Sequence, residues 1–227
     1  MPLRLRRLLI ALSGIAGVVM LTAHFFIPSG VPADTESAAQ VMRFVTDHRD
    51  AVLFTAWLQG VGPLFYVGFA IAVAHLAGAT TRLSGLLTLL ASAVILALSL
   101  IDAAFTISAT EAAAAGHAGT AVASFDLIAG PANDAVGRVF LLAPPLLLPL
   151  GAAILASNVL PRRTFGYTAV VFGASSIALG LAQLFSTTAF NISLYLIIAQ
   201  NIWVLAAAVT LAATTSHSDR VTASGPL

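Results

Sequence analysis

The chain contains no cysteine and no lysine. Without thiols there is no disulfide, no thiolate nucleophile, no iron–sulfur cluster and no thiolate zinc site. Without a lysine amine there is no retinal or pyridoxal Schiff base and no phosphate-loop lysine. Charge is scarce altogether: Asp, Glu, Lys and Arg make up 8% of the residues, against about 25% in a soluble domain. A water-facing surface cannot be covered with so little. What is present is apolar, 59% of 227 residues, with a mean hydropathy of +0.99, and this composition belongs in a membrane.

A bilayer core of about 30 Å takes about 20 apolar residues in a helix. Six stretches of that length can be drawn, at about 8–27, 51–77, 84–108, 135–158, 165–187 and 191–213. The expected fold is therefore all-α, a single polytopic domain over residues 1–213 with six transmembrane helices. The first stretch follows Arg4, Arg6 and Arg7, as a signal peptide would, but its apolar run exceeds the about 7–15 residues of a signal core and no small-x-small cleavage site follows. A retained helix is the expectation. Cytoplasmic loops keep positive charge, so both termini are expected in the cytoplasm. The inner segments then hold seven arginines against Asp219, a charge of +6. The outer half holds eight acids against Arg43, Arg49 and Arg138, a charge of −5, and the two sides reproduce the net +1.

Short turns at 78–83, 159–164 and 188–190 predict antiparallel neighbours. The outer segment from Pro28 to Asp50 reads after Asp34 as an amphipathic helix lying on the membrane surface, with Ala38, Val41, Met42 and Val45 on one face. The segment 109–134, rich in Ala and Gly and broken at Gly130-Pro131, reads as a lid over the helix ends. The polar tail 214–227 reads as disordered.

Ionisable groups at membrane depth are expensive and mark candidate sites. The third stretch carries Ser92, Ser99, Asp102 and Thr106 on one face, with Asp102 in its outer third. The fourth begins at Asp134, with Arg138 one turn deeper, and Arg138 is the expected partner of Asp102 because a buried guanidinium needs a fixed acceptor. Two readings stand: a ligand site, or a structural ion pair joining two helices. Pro144, Pro145 and Pro149 free carbonyls near mid-depth, which points either to a binding site at a broken helix or to a plain kink. Gln59, Pro63 and Tyr66 share a face of the second stretch. Gly173, Ser176, Gly180, Gln183 and Thr187 share one of the fifth, whose small members suit close helix packing. Gln200 and Asn201 lie at the middle of the sixth. The candidate ligand residues are thus Asp102, Arg138, Asp134, Thr106, Gln183, Gln200 and Asn201, around an outward-opening cavity floored by the three prolines. None of the five histidines is spaced three or four residues from another, so no metal, haem or other cofactor is expected.

The run from Gly137 to Gly173 holds Gly137-x-x-Phe140, then Leu150-Gly151, then Ser157-x-x-Leu160-Pro161-Arg162 and Gly166. Together with Pro32-Ala33-Asp34 in the outer loop, this pattern resembles an uncharacterised family of bacterial six-helix membrane proteins, a domain of unknown function. The resemblance implies kinship of architecture and no activity; the triple proline departs from the pattern. Abundant Ala, Arg and Gly with no lysine points to a high-GC bacterium, hence to a multi-pass protein of its plasma membrane. The expected activity is binding or transport of a small amphipathic or lipid-like molecule. An enzyme using Asp102, Glu111 or Asp126 as acid and Arg138 to steady an anion is the alternative, although no Ser-His-Asp arrangement or paired-aspartate motif supports it. A structural or accessory subunit is the third reading. The bilayer is the expected partner, with a homodimer as an option for so few helices and no nucleic acid.

Overall fold

The computed structural model describes residues 3–24, 26–27, 38–128, 146–183 and 185–223, and every regular element among them is helical. In chain order these are α1 (Leu3–His24), α2 (Ala38–Asp47), α3 (Arg49–Leu76), α4 (Leu83–Ala114), α5 (Ala118–Ile128) and α6 (Leu147–Leu155). A π-helical turn at Arg162–Gly166 then leads into α7 (Tyr167–Ala182), followed by α8 (Thr187–Ala223). Among the described residues five segments are long and apolar enough to cross a membrane: Leu3–Ala23, Arg49–Leu76, Leu83–Ala114, Arg162–Ala182 and Tyr195–Thr214. This is the build of a multi-pass membrane protein. Of the expected span at 135–158 only the part from 146 onward is described, and α6 alone is too short to cross; Asp134, Arg138, Pro144 and Pro145 lie outside the described residues.

Large apolar side chains point away from the bundle all along these helices, among them Leu86, Leu90, Val171, Tyr195 and Ile202. A soluble protein of this size would not expose so much contiguous apolar surface. Because lipid tails are as apolar as leucine, helices in a bilayer gain little from burying leucine and associate through close van der Waals contact between small residues. The packing follows that rule. Gly17 of α1 lies so close to α3 that an added Cβ would stand 2.5 Å from the Tyr66 amide nitrogen. Gly14 faces the Phe69 ring, and Gly173 of α7 meets the backbone of Leu148 in α6.

These contacts fix the register. Residues near Gly14 and Gly17 meet Phe69 and Tyr66, and Gly60 of α3 meets Leu100 and Ala103 of α4, so each pair is antiparallel. Helix α1 lies between α3 and α8, α8 packs on α7, α7 on α6, and α6 returns to α4 and α3. The bundle is a closed ring. One buried core, which includes Ile10, Ala77, Leu160, Phe165 and Leu211, gathers the start of α1, both short turns and the inner part of α8 at the same end. Arg4, Arg6, Arg7, Arg82, Arg162 and Arg163 therefore collect at one end of the ring, here the basic end.

The exits of α3 and α4 are sealed by glycine. Gly78, with φ of 67°, sends its amide to the His75 carbonyl while Ala79 bonds Ala74; Gly116, with φ of 77°, does the same with Ala113 while His117 bonds Ala112. Each is a Schellman closure, which needs a left-handed residue at that point. The Ser157-to-Arg162 turn has its own physical account. The Ser157 hydroxyl caps the Ile154 carbonyl, the Arg162 side chain bonds the Ser157 carbonyl, and Val159 and Leu160 plug the core while Pro161 starts the π turn.

Three expectations change. The amphipathic helix α2 does not simply lie on a membrane surface: Val41, Phe44 and Val45 are buried against Val52, Ala109, Ala112, Ala113 and Ala121, in a second core at the end opposite the arginines. Its apolar face thus also includes Phe44. The expected lid at 109–134 begins as regular helix, because nothing in Ala109 to Ala114 breaks α4 before Gly116, and continues as α5. Helix α8 runs past Thr214 to Ala223, where a disordered tail was expected; no proline or glycine interrupts it before Gly225-Pro226.

Candidate functional site

The polar stripe of α4 faces the bundle. Ser92 and Ser99 are buried, and Asp102 and Thr106 are half-buried. Ser92 returns its hydroxyl proton to the Thr88 carbonyl, Thr106 to that of Asp102, and Thr110 to that of Thr106. Such bonds to the preceding turn satisfy a hydroxyl within its own helix. Ser99 does otherwise. Its oxygen is buried and has no hydrogen-bond partner among the described residues.

Asp102 has a partner that the spacing along α4 could not show. The side-chain amide of Gln59 in α3 donates to its Oδ2 at 2.9 Å. Arg138 falls outside the described residues, as does Asp134. Four residues along from Gln59 stands Pro63, buried within α3. A proline lacks the amide hydrogen that would bond back four residues, so the Gln59 carbonyl has no helical donor. With Gln59 level with Asp102, the antiparallel register sets Pro63 beside the turn of α4 that carries Ser99. A carboxylate, an amide, a proline-released carbonyl and an unbonded hydroxyl therefore share one stretch of the α3–α4 seam. Helix α3 runs through Pro63 without a break, so Pro63 supplies one released carbonyl where a broken helix was expected at Pro144, Pro145 and Pro149. The signal of that carbonyl was present in the spacing of Gln59 to Pro63.

The remaining candidates lie elsewhere. Gln200 of α8 donates to the Ser176 hydroxyl of α7 at 2.7 Å, and the Trp203 indole donates to Thr168 at 2.9 Å while its ring meets Phe165 edge-on. These bonds pin α8 to α7. Asn201 is half-buried on α8, and Gln183 is fully buried where α7 ends, its backbone amide on the Leu179 carbonyl. Of the named set, the structure brings Thr106 to Asp102 and sets Gln200 at a different seam. Pro149 is half-buried in the first turn of α6.

At the end opposite the basic one, Glu111 takes a 2.9 Å ion pair from Arg49, both side chains about half exposed. The pair is engaged at a rim and not poised over the Asp102 seam. Asp126 is in α5, with its side chain outside the described set. His48 bonds the Phe44 carbonyl and stacks on that ring, and His75 bonds Thr80. No group of three His, Asp or Glu gathers among the described residues.

A cleft of about 430 Å³ opens at the basic end, between α1, α3 and α4. Arg6, His75 and Thr80 line it together with Leu9, Ile71, Leu89, Gly68 and Gly85. No family model, curated protein or solved structure matches the chain.

Proposed function

We propose that the chain binds a small amphipathic or lipid-like molecule whose polar group meets the α3–α4 seam at Asp102, Gln59 and Ser99. The observation that carries this reading is the buried, unbonded Ser99 hydroxyl one turn from a carboxylate at membrane depth. Buried polar groups are nearly always satisfied, and a charge within a span is retained where it faces a partner or a wet cavity. Arg138 and Asp134 lie outside the described residues and enter this reading from the sequence alone, Arg138 as the counter-charge for Asp102 or for an anionic head group. In this reading the protein spans the plasma membrane of a bacterium six times. Both termini are cytoplasmic, with the basic end inward as positive charge favours. The S-x-x-LPR turn supports kinship with the six-helix family of unknown function.

A second reading has its own observation. The Gln59 to Asp102 bond alone holds α3 to α4 in register, as a purely structural pair would. Titration of the detergent-solubilised protein with a single-chain fatty acid separates the two. A ligand that binds only the folded form raises its stability by about 2.7 kcal/mol at a hundredfold excess over the dissociation constant. That rise should be lost in Arg138→Ala and in Ser99→Val. A rise that both variants keep, or none in the parent, leaves the structural pair as the role of Asp102.

A further inference from the structure

The cleft at the basic end stands apart from the Asp102 seam and uses none of its residues. Its wall is mostly apolar, with one guanidinium, Arg6, at its polar end. Leu9, Ile71 and Leu89 are exposed side chains of α1, α3 and α4 that point out of the bundle. In a multi-pass protein such side chains touch acyl chains. Gly68 and Gly85 complete the lining without side chains, and Gly85 sits so close to the α3–α4 turn that an added Cβ would run into the Ala79 carbonyl. Toward the end of the bundle the lining turns polar, with Arg6, His75 and Thr80. His75 and Thr80 bond one another at 3.1 Å, which holds the ring over the α3–α4 turn. Arg6 is half-buried and makes no hydrogen bond or ion pair with any described residue. No acid lines the cleft, and Arg4, Arg7 and Arg82 stand at the same end.

An apolar trough that faces lipid tails and ends in an unengaged guanidinium is complementary to one class of molecule. We infer that the cleft between α1, α3 and α4 holds an acidic phospholipid of the adjacent leaflet. Its phosphate lies at Arg6 and His75, and the beginning of its acyl chains lies along Leu9, Ile71 and Leu89. The volume is within the range of about 300–1,000 Å³ of small-molecule sites, enough for a headgroup and glycerol while the chains continue into the bilayer. Anionic lipids are attracted to basic residues next to a span. A guanidinium offers a phosphate two parallel donors, and the imidazole adds a third. The lipid would bridge α1 to the α3–α4 turn and so tie three members of the ring together at one point.

The test measures thermal stability of the purified full chain in a neutral detergent during titration with phosphatidylglycerol, phosphatidylcholine or inorganic phosphate. Phosphatidylglycerol should raise the melting temperature, and phosphatidylcholine and free phosphate should do so far less. Arg6→Gln should weaken the apparent phosphatidylglycerol affinity about fivefold, the loss expected for one basic contact at a membrane surface. Arg162→Gln lies at the same end but outside the cleft and should leave the affinity unchanged. An equal response to phosphatidylcholine overturns the inference, as does an equal loss in Arg6→Gln and Arg162→Gln, which would mark diffuse attraction to the whole basic end. Ile71→Trp, which fills the trough from its lipid-facing wall, provides a second readout. Unchanged phosphatidylglycerol affinity in a folded Ile71→Trp protein would also overturn it.

Discussion

Asp102 of α4 receives its hydrogen bond from Gln59 of α3, the amide nitrogen 2.9 Å from Oδ2. The pair crosses a helix seam at which Pro63 has removed a backbone donor from the Gln59 carbonyl, so one residue contributes both a side-chain donor and a main-chain acceptor. Its consequences are measurable without any ligand.

Gln59→Leu leaves the carboxylate without its amide and should lower stability by about 1–3 kcal/mol, the range for stranding a buried polar partner. Asp102→Asn keeps the shape and should cost less. The double variant Gln59→Leu/Asp102→Leu removes both halves and should lose less than the two single leucine variants together, by about 0.5–3 kcal/mol. Thermal melts in one detergent would show it. Strict additivity would mean that the two side chains do not act on one another.

Orientation can be read from fusions. With the basic end inward, a reporter active only in the cytoplasm should work when joined after Arg82 or Arg163 and fail when placed between Arg43 and Asp47 in α2. The expectation rests on six arginines gathered at one end, and the strength of positive charge in setting topology. Activity at the α2 position would reverse the assignment.

Gly173→Ala tests the close approach of α7 to α6. The new methyl would collide with the backbone of Leu148, which cannot swing away as a side-chain tip can, so the helices must separate. Overpacking of this kind costs about 1–3 kcal/mol. Gly119→Ala on α5, where an added Cβ meets nothing within 4 Å, is the control and should leave the melting temperature unchanged. Equal behaviour of the two variants would show that the α6–α7 contact is looser than described.

The apolar runs made the long helices legible because lipid demands length and hydrophobicity of each span independently of its neighbours. The gathering of Arg6, Arg82 and Arg162 at one end could be anticipated for the same reason, since charge counts require no knowledge of packing. The α3–α4 seam was not legible. Spacing along α4 assigned Asp102 and Thr106 to one face, but which neighbour meets that face depends on rotation about two helix axes, and a lone glutamine among apolar residues gives no direction. A guanidinium is the obvious counter-charge for a carboxylate, whereas the face shared by Gln59, Pro63 and Tyr66 carries no sign of which helix it meets. Helix α2 shows the same limit: its Val41 and Val45 stripe identified an apolar face, and the choice between membrane and protein as the surface beneath it lay in Ala109 to Ala121, some seventy residues further on.

The contact between Arg7 and Thr214, 3.4 Å apart, joins residues separated by 207 positions. Helix α1 therefore leaves the ribosome well before α8, and one of its flanks stays open until α8 is made. Until then α3 is, among the described helices, the long neighbour that holds α1 through Gly14 and Gly17. Ring closure thus waits on the synthesis of α8, whatever the order in which the other seams form.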